Sequence, residues 1–306
     1  MCPQLVVLPY DFPQYEKVSG IVAEKLYHFA DQFHGYVEQV SCDESYVEIN
    51  ICPQDHVGHT LDSFLKSLAE QIRKEIFEAT KCTASIGVGS NKFLAKLAAD
   101  KVKPNASCIV NNHQELLDGL ALRDLHGIGR KIERKLQAHN LSTVNDIWDL
   151  GDDAQGTLKD IVGGATAQKI VLFSKGIDDR PVQPQLRKTI GAECNYGVRF
   201  DGPYGPEYML KGLSAEVEKR MKAVAVRGSK ITLKIMKSRD PTKIPGKFLG
   251  HGLCDALSKS VDIPMTRCSG KSIELRITIC SLNLPKYCSV GAFTLRCHMF
   301  SCSEGV

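Results

Sequence analysis

Residues 40–50 read VSCDESYVEIN, and the interpretation of the whole chain starts from this stretch. β-Branched and aromatic residues on both sides of a short polar segment predict two strands joined by a tight turn. The turn carries two adjacent carboxylates, Asp43 and Glu44. At a turn both can converge on one point, where carboxylates bind Mg²⁺ together with water and substrate phosphates. The alternative is an acidic hairpin tip that only faces solvent.

The segments around this hairpin predict an α+β domain. Apolar residues at helical spacing indicate helices over residues 13–33 and from 61 to about 80, and residues 83–88 are typical of a short buried strand. Ser90 is a suitable N-cap for a further helix, which Pro104 ends. Helices mixed with an antiparallel hairpin and a short strand fit one α+β domain that ends near residue 117.

Composition places the chain among globular proteins of two or three domains. It has 306 residues, 43% hydrophobic and 24% charged, with a formal net charge of +4. No apolar run reaches the roughly 20 residues that span a bilayer, and the N-terminal residues do not form a signal peptide, which favours the cytosol or nucleus. We therefore interpret the 12 cysteines as reduced thiols. Cys297, His298 and Cys302 lack a second ligand pair at zinc-site spacing.

Two segments carry residues suited to phosphate. The predicted helix after Ser90 is surrounded by four lysines: Lys92, Lys96, Lys101 and Lys103. Helix N-termini and lysines attract phosphate, although an ordinary cationic face over an apolar one is the alternative. Residues 125–136 read LHGIGRKIERKL, in which Gly127 and Gly129 precede a basic helix. A helix–hairpin–helix of this type offers backbone N–H groups to DNA phosphates; a plain turn between helices is the alternative.

The last part of the chain predicts a separate basic sheet. Residues 227–247 hold seven Lys or Arg and one acid, Asp240. In KITLKIMK, residues 230–237, apolar side chains alternate with Lys230, Thr232 and Lys234. A sheet with a cationic face suits a phosphate backbone, whereas a solvated edge strand that prevents aggregation is the alternative.

The order of these segments resembles the Y-family, or translesion, DNA polymerases. The resemblance lies in SCDE at 41–44, in SIGVGSNKFLAKLAADKVKPN at 85–105 and in the hairpin at 125–136. Five more segments resemble the deoxycytidyl-transferase branch, whose members insert dCMP opposite abasic sites and damaged guanine. They are LPYDFPQY at 8–15, GIDDRPV at 176–182, AECNYGVRF at 192–200, KITLKIM at 230–236 and FLGHGLCD at 248–255.

The resemblance implies an α+β right-hand polymerase fold with a partial palm, a small helical thumb and an α+β little-finger domain. The expected divisions are a palm at 1–117, a thumb with the helix–hairpin–helix at 118–182, a linker at 183–188, a little-finger domain at 189–267 and a divergent tail at 268–306.

The resemblance also implies a mechanism of two-metal phosphoryl transfer. Asp43 and Glu44 would bind two Mg²⁺ ions, and Lys103 would bind the triphosphate. Gly127, Gly129, Lys131 and Lys234 would contact DNA. The implied partners are primer–template DNA, dCTP and other translesion-synthesis proteins, the last through regions outside this sequence, and the implied compartment is the nucleus, without a membrane.

Two departures from the family shape our expectations. The family has an earlier palm strand with another metal-binding Asp, then the fingers, and this branch has an N-terminal arginine that pairs with dCTP; none of these precedes residue 8. With two of three carboxylates, we expect little or no polymerase activity from these residues alone, because catalysis here depends on positioning and charge stabilisation. A damaged-DNA-binding module without catalysis is the alternative. The second departure is at the other end, where the sequence stops resembling the family's closing helix and strand after about Arg267. We expect that a translated intron or gene-model error explains both ends.

Overall fold

The chain folds as two compact units, Met1–Gln185 and Leu186–Val306, in a computed structural model. The division falls within the segment 183–188, where the sequence predicts a linker. The structure describes the backbone of residues 290–300 and the following residues in full: 4–6, 8–52, 58, 60–185, 188–195, 197–198, 200, 205–239 and 252–262.

The first unit consists of eight helices and four short strands among the described residues. In chain order they are α1 Phe12–Gln32, β1 Val37–Gln39, β2 Ser45–Val47, α2 Leu61–Thr80, β3 Ile86–Val88, α3 Lys92–Lys101, β4 Ser107–Ile109, α4 His113–Leu117, α5 Arg130–Gln137, α6 Val144–Asp149, α7 Ala154–Val162 and α8 Gly164–Ser174.

The predicted hairpin around Asp43 and Glu44 is confirmed. Strands β1 and β2 pair antiparallel, with Val37 opposite Val47. The backbone N–H groups of Val40 and Ser41 donate to the carbonyl of Glu44 at 2.9 and 3.1 Å, which closes the turn. Apolar side chains of the hairpin, α1 and α2 form one core beneath it: Leu26, Phe29, Ala30, Val37, Leu68, Ile72 and Ile76.

Helix α3 lies directly against strand β3, which pairs in parallel with β4. A Cβ at Gly87 would collide with the carbonyl oxygen of Ala95, so only glycine permits this close approach. The predicted N-cap, Ser90, is wrong by one residue. Asn91 is in extended conformation, and its side chain accepts the N–H of Leu94 at 3.0 Å.

The core of α3 continues into the helices that follow it. Phe93, Leu94 and Leu97 pack in the same cluster as the buried residues of α4 to α8, and the ring of Phe93 stacks on Phe173 at 4.4 Å between centroids. The sequence predicts a domain division at residue 117. The structure shows no break in the buried core there, because the apolar face of α3 belongs to the same core as the helical segment.

A buried ion pair fixes the end of the first unit onto the hairpin. Lys92 Nζ lies 2.6 Å from Glu38 Oε2, and their side chains are 6% and 10% exposed. Lys92 also donates to the carbonyl of Pro181 at 3.2 Å, while the N–H of Gln183 donates to Glu38 at 3.2 Å. The ammonium lies 5.1 Å from the ring centroid of Tyr46. The segment at 181–183 is therefore held by side chains of β1 and α3.

The second unit is a four-stranded antiparallel sheet with one helix among its described residues. Its elements are β5 Thr189–Cys194, α9 Pro206–Ala223, β6 Arg227–Ser238, β7 Cys254–Asp262 and β8 Val290–Phe300. The strand order is β5-β8-β6-β7, so β6 is an interior strand and the edge-strand alternative for it is wrong. Ile231, Leu233 and Ile235 of β6 form its core with residues of β5 and α9.

Part of the segment 268–306, predicted as a divergent tail, forms a strand of the sheet. The backbone of Val290–Phe300 pairs with both β5 and β6, which places these residues inside the sheet. Ladder hydrogen bonds between main-chain groups supply this pairing whatever the side chains are, which is why side-chain patterns did not predict it. Residues 263–289 and 301–306, including Cys302, lie outside the described residues.

We predict that breaking the buried pair destabilises the first unit. Glu38→Gln leaves the ammonium of Lys92 buried without its counter-charge, and the expected loss is about 3–5 kcal/mol of unfolding free energy. Urea denaturation followed by circular dichroism measures it. The control is Lys74→Met on the exposed face of α2, where the ion pair with Glu78 is 3.9 Å long and contributes at most about 1 kcal/mol. Equal stability of Glu38→Gln and wild type would contradict the prediction.

Candidate functional site

The two acidic residues of the turn lie together at the exposed tip of the hairpin. Asp43 accepts a hydrogen bond from the hydroxyl of Ser41 at 2.6 Å. That bond holds the pKa of Asp43 below its usual value, and the charge of Lys103 acts in the same direction. Asp43 is therefore a carboxylate at neutral pH, with its side chain oriented by the turn that carries it.

Three side chains lie beside this tip: Lys96 and Asp100 of α3, and Lys103, which follows the helix. Lys96 pairs with Glu44 and lies 3.2 Å from Asp100, and Lys103 lies 2.7 Å from the same Asp100 oxygen. Because residues three and four apart share a helix face, Asp100 meets both lysines. We name this cluster of Asp43, Glu44, Lys96, Asp100 and Lys103 the acidic–lysine cluster.

Hydrogen bonds within the cluster favour the charged forms of Lys96 and Asp100. Burial acts to lower the pKa of Lys96, but its hydrogen bonds to Glu44 and Asp100 outweigh burial, so the pKa of Lys96 rises. Burial would likewise raise the pKa of Asp100, whereas hydrogen bonds from Lys103 and Lys96 lower it overall. At neutral pH Asp43 and Asp100 are therefore carboxylates, and Lys96 is an ammonium group.

The four lysines predicted as one phosphate-attracting group have different roles. Lys92 is buried in the ion pair with Glu38, so it is structural. Lys96 and Lys103 belong to the acidic–lysine cluster, and Lys101 is exposed. The spacing of Lys96 and Asp100 was the signal in the sequence that could have identified their pairing.

The donor set at the tip fits a Mg²⁺ ion in part. Mg²⁺ is usually bound by one or two protein carboxylates, with water and substrate phosphates completing the octahedron. Asp43 and Glu44 are adjacent, exposed oxygen donors of this type. Within the described residues no group of three or more His, Cys, Asp or Glu side chains is arranged to hold a metal.

The Gly-x-Gly segment forms a tight hairpin on a different surface. It joins a one-turn 3₁₀ helix, Leu122–Asp124, to α5. Gly127 has φ +95°, a backbone conformation that is strained for residues with a side chain. The N–H of Ile128 donates to the carbonyl of Leu125 at 3.0 Å. Gly129 is the N-cap of α5, and Lys131 is exposed in its first turn.

Cationic groups that the sequence did not single out lie beside this hairpin. The Lys169 ammonium would lie 3.1 Å from a Cβ at Gly127, and it sits over the ring of Phe173 at 5.3 Å. Arg180 contacts the same ring at 5.7 Å. Burial, then the charges of Lys169 and Arg180, lowers the pKa of His126. Lys169 follows Gly127 by 42 positions, so no local pattern links the two residues.

Lys234 lies in the second unit, on the exposed face of β6. Its neighbours Ile231, Leu233 and Ile235 are buried on the opposite face, which confirms the predicted alternation. Lys230 pairs with Asp262 at 3.4 Å, whereas Lys234 forms no ion pair within the described residues. Residues 240–247 of the basic segment lie outside those residues.

We found no helix in the described part of the chain with the length and hydropathy to cross a membrane.

We predict that Gly127 and Gly129 respond differently to alanine. Gly127→Ala places a Cβ at positive φ and against Lys169, so we expect a loss of about 1 kcal/mol in unfolding free energy. Gly129→Ala is the matched control, because its φ of −86° is open to any residue and its Cβ would meet no atom within 4 Å. Chemical denaturation of both variants measures the difference, and equal effects would contradict it.

Two known family models match the parts of the chain that hold the acidic hairpin and the Gly-x-Gly hairpin. Residues 1–100 match the impB/mucB/samB family, and residues 110–141 match the HHH motif of the IMS family. DNA repair protein Rev1 of Drosophila melanogaster is 34% identical over 265 residues, which is 85% of this chain and 25% of that protein. REV1 of Arabidopsis thaliana is 33% identical over 86% of this chain and 23% of its own length. The chain thus spans about a quarter of these relatives.

A bacterial relative and a solved structure extend the comparison. DNA polymerase IV of Clostridioides difficile is 33% identical over 79% of this chain and 64% of that protein. A Y-family DNA polymerase chimera of Dbh and Dpo4 shares the fold with a TM-score of 0.72 at 23% identity, over 97% of this chain and 79% of the chimera. Residues 1–100 and 110–141 therefore carry domains of the IMS polymerase family, Rev1 proteins and DNA polymerase IV are relatives of the chain, and its fold is that of a Y-family DNA polymerase.

Proposed function

We propose that this chain supplies catalytic-core residues of a translesion polymerase that transfers dCMP from dCTP to a primer 3′-end opposite abasic or damaged guanine sites. The observation that carries the proposal is the acidic–lysine cluster, in which Glu44 of the hairpin tip is linked to Lys103 through the ion pairs of Lys96 and Asp100. Carboxylates for metal beside a lysine for phosphate are the parts that phosphoryl transfer needs.

Asp43 and Glu44 would hold the metal in this proposal. When bound, Mg²⁺ supplies charge neutralisation at the triphosphate and activates the attacking hydroxyl. The turn bond from Ser41 keeps Asp43 ionised and oriented, so its oxygens are available at neutral pH. For two ions this remains an incomplete set of carboxylates, in agreement with the low activity expected of these residues alone.

Lys103 would bind the triphosphate. Its side chain is more than half exposed, and its partner in the cluster is a single oxygen of Asp100 that it shares with Lys96. An ammonium in such an exposed pair exchanges readily for a phosphate, because an exposed ion pair contributes about 1 kcal/mol or less.

The DNA would be held through the hairpin and the basic strand. Gly127 and Gly129 place the backbone at the N-terminus of α5, where N–H groups favour phosphate, and Lys131 and Lys169 add positive charge. Lys234, exposed on β6, would contribute a phosphate contact in the second unit. These contacts position a duplex without reading its sequence.

A second candidate is a damaged-DNA-binding module without catalysis. The observation that favours it is the pairing of Glu44 with Lys96, which neutralises one of the two proposed metal ligands. In that case the hairpin and β6 would still bind DNA, and the acidic–lysine cluster would only stabilise the hairpin tip.

The compartment and further partners are part of the same proposal. The Rev1 relatives are DNA repair proteins of eukaryotes, which supports a nuclear location and contacts with other translesion-synthesis proteins. Those contacts would involve regions of the longer protein, because this chain spans about a quarter of its Rev1 relatives.

We predict that any nucleotide transfer by this chain depends on Asp43. Primer extension with excess protein on an abasic template, with dCTP and Mg²⁺, should give only slow dCMP incorporation. Asp43→Asn should reduce it by at least about 100-fold, because a neutral amide is a poor ligand for a hard dication. Incorporation that persists in Asp43→Asn would contradict the proposed site. DNA binding without any incorporation by the wild type would favour the second candidate.

We also predict that Lys131 and Lys234 each contact one phosphate. Replacing either by Ala should weaken binding to all primer–template sequences alike. It should also lower the slope of log affinity against log salt by about 1. Fluorescence anisotropy at several salt concentrations measures both quantities. Lys74→Ala on α2 is the control, and a slope unchanged in all three variants would exclude these contacts.

A further inference from the structure

We propose that Lys96 is a positioning residue that competes with the divalent cation for Glu44, and that Asp100 receives Lys96 when the cation binds. This inference rests on the proposed function, since it assumes that Glu44 is a metal ligand. It adds a regulatory role to a residue that touches neither substrate nor metal.

The geometry places the ammonium where the metal would bind. Lys96 Nζ contacts Glu44 Oε1 directly. Mg²⁺ and Mn²⁺ need carboxylate oxygens close to 2 Å. A dication on either Glu44 oxygen would therefore lie within a few ångströms of the Lys96 ammonium. Like charges at that distance repel each other, so metal binding requires Lys96 to leave Glu44.

Asp100 is placed to accept the displaced ammonium. Its Oδ1 already lies 3.2 Å from Lys96 Nζ, so a small rotation of the lysine side chain exchanges one carboxylate for the other. Lys96 is anchored on α3 beside the buried Leu97 and Ala98, which keeps its Nζ within reach of both acids. The exchange moves one ion-pair partner and needs no change in the backbone.

Lys96 and Lys103 both contact Asp100, and this connects the exchange to nucleotide binding. Lys103 lies 2.7 Å from the same Oδ1 that faces Lys96. When Lys103 turns to a triphosphate, Asp100 loses one ammonium and attracts Lys96 more strongly. Lys96 then leaves Glu44 open to the cation. The arrival of the nucleotide would thus favour metal binding through Asp100, in addition to the direct contact between metal and phosphate.

Direct titration with Mn²⁺, followed by electron paramagnetic resonance without nucleotide or DNA, tests this inference. Lys96→Met should lower the apparent Kd for Mn²⁺ roughly tenfold, because the competing charge is gone while the apolar stem remains. Lys96→Gln is the second neutral variant should the methionine impair folding. Lys96→Arg keeps the charge and should resemble the wild type. Lys74→Met, which removes an exposed lysine of α2, should leave the Kd unchanged.

A double-mutant cycle tests the role of Asp100. Asp100→Asn should raise the Kd for Mn²⁺ in the wild-type background, since Lys96 then has no second acceptor. In the Lys96→Met background the same change should have a clearly smaller effect. Equal effects in both backgrounds would mean that Asp100 acts only as a nearby negative charge and would overturn its proposed role.

The failure of this inference is distinguishable from the failure of the proposed function. Glu44→Gln should abolish the Mn²⁺ binding that Lys96→Met strengthens. If Mn²⁺ binds equally well with and without the Glu44 carboxylate, the proposed metal site is wrong. If Glu44→Gln abolishes binding but Lys96→Met and Lys96→Gln leave the Kd at its wild-type value, the competition alone is wrong.

Discussion

The buried pair of Lys92 and Glu38 is the interaction on which the arrangement of the first unit depends. It joins helix α3 to strand β1, and the two backbone groups that it binds belong to residues 181 and 183. A buried charge is tolerated only when it is paired and its remaining hydrogen-bonding capacity is used. The pair therefore fixes β1, α3 and residues 181–183 relative to one another. The hairpin tip with Asp43 is positioned by the strand that carries Glu38.

Helix α3 contacts the helical core, the buried ion pair and the acidic tip with different sides. Its apolar side packs in the helical core, Lys92 points to the hairpin, and Lys96 with Asp100 faces the acidic tip. One helix of 10 residues thus orients both the structural and the chemical parts of the cluster. The close approach at Gly87 holds the helix directly against β3.

The sequence predicted most of what local patterns encode. The hairpin, α1, α2 and the alternation of β6 follow from periodicity, and motif order made Asp43, Glu44, Lys103 and Gly127 candidates for the site. What the sequence could not predict are contacts between distant segments. Glu38 and Lys92 are 54 positions apart, Gly127 and Lys169 are 42 apart, and the pairing of β8 depends on main-chain groups alone. Such contacts leave no local signal, because the two partners lie far apart in the sequence.

The stacking of Phe93 on Phe173 has a mechanical consequence. α3 contributes its buried side chains to the core of the helices that follow, and it also carries Lys96 and Asp100 of the acidic–lysine cluster. That part of the cluster therefore depends on the same buried core as those helices. Amide protons of α3 should then exchange with solvent only when that shared core opens. The surface that carries the carboxylates and the surface that carries the Gly-x-Gly hairpin would soften together on heating rather than in separate steps.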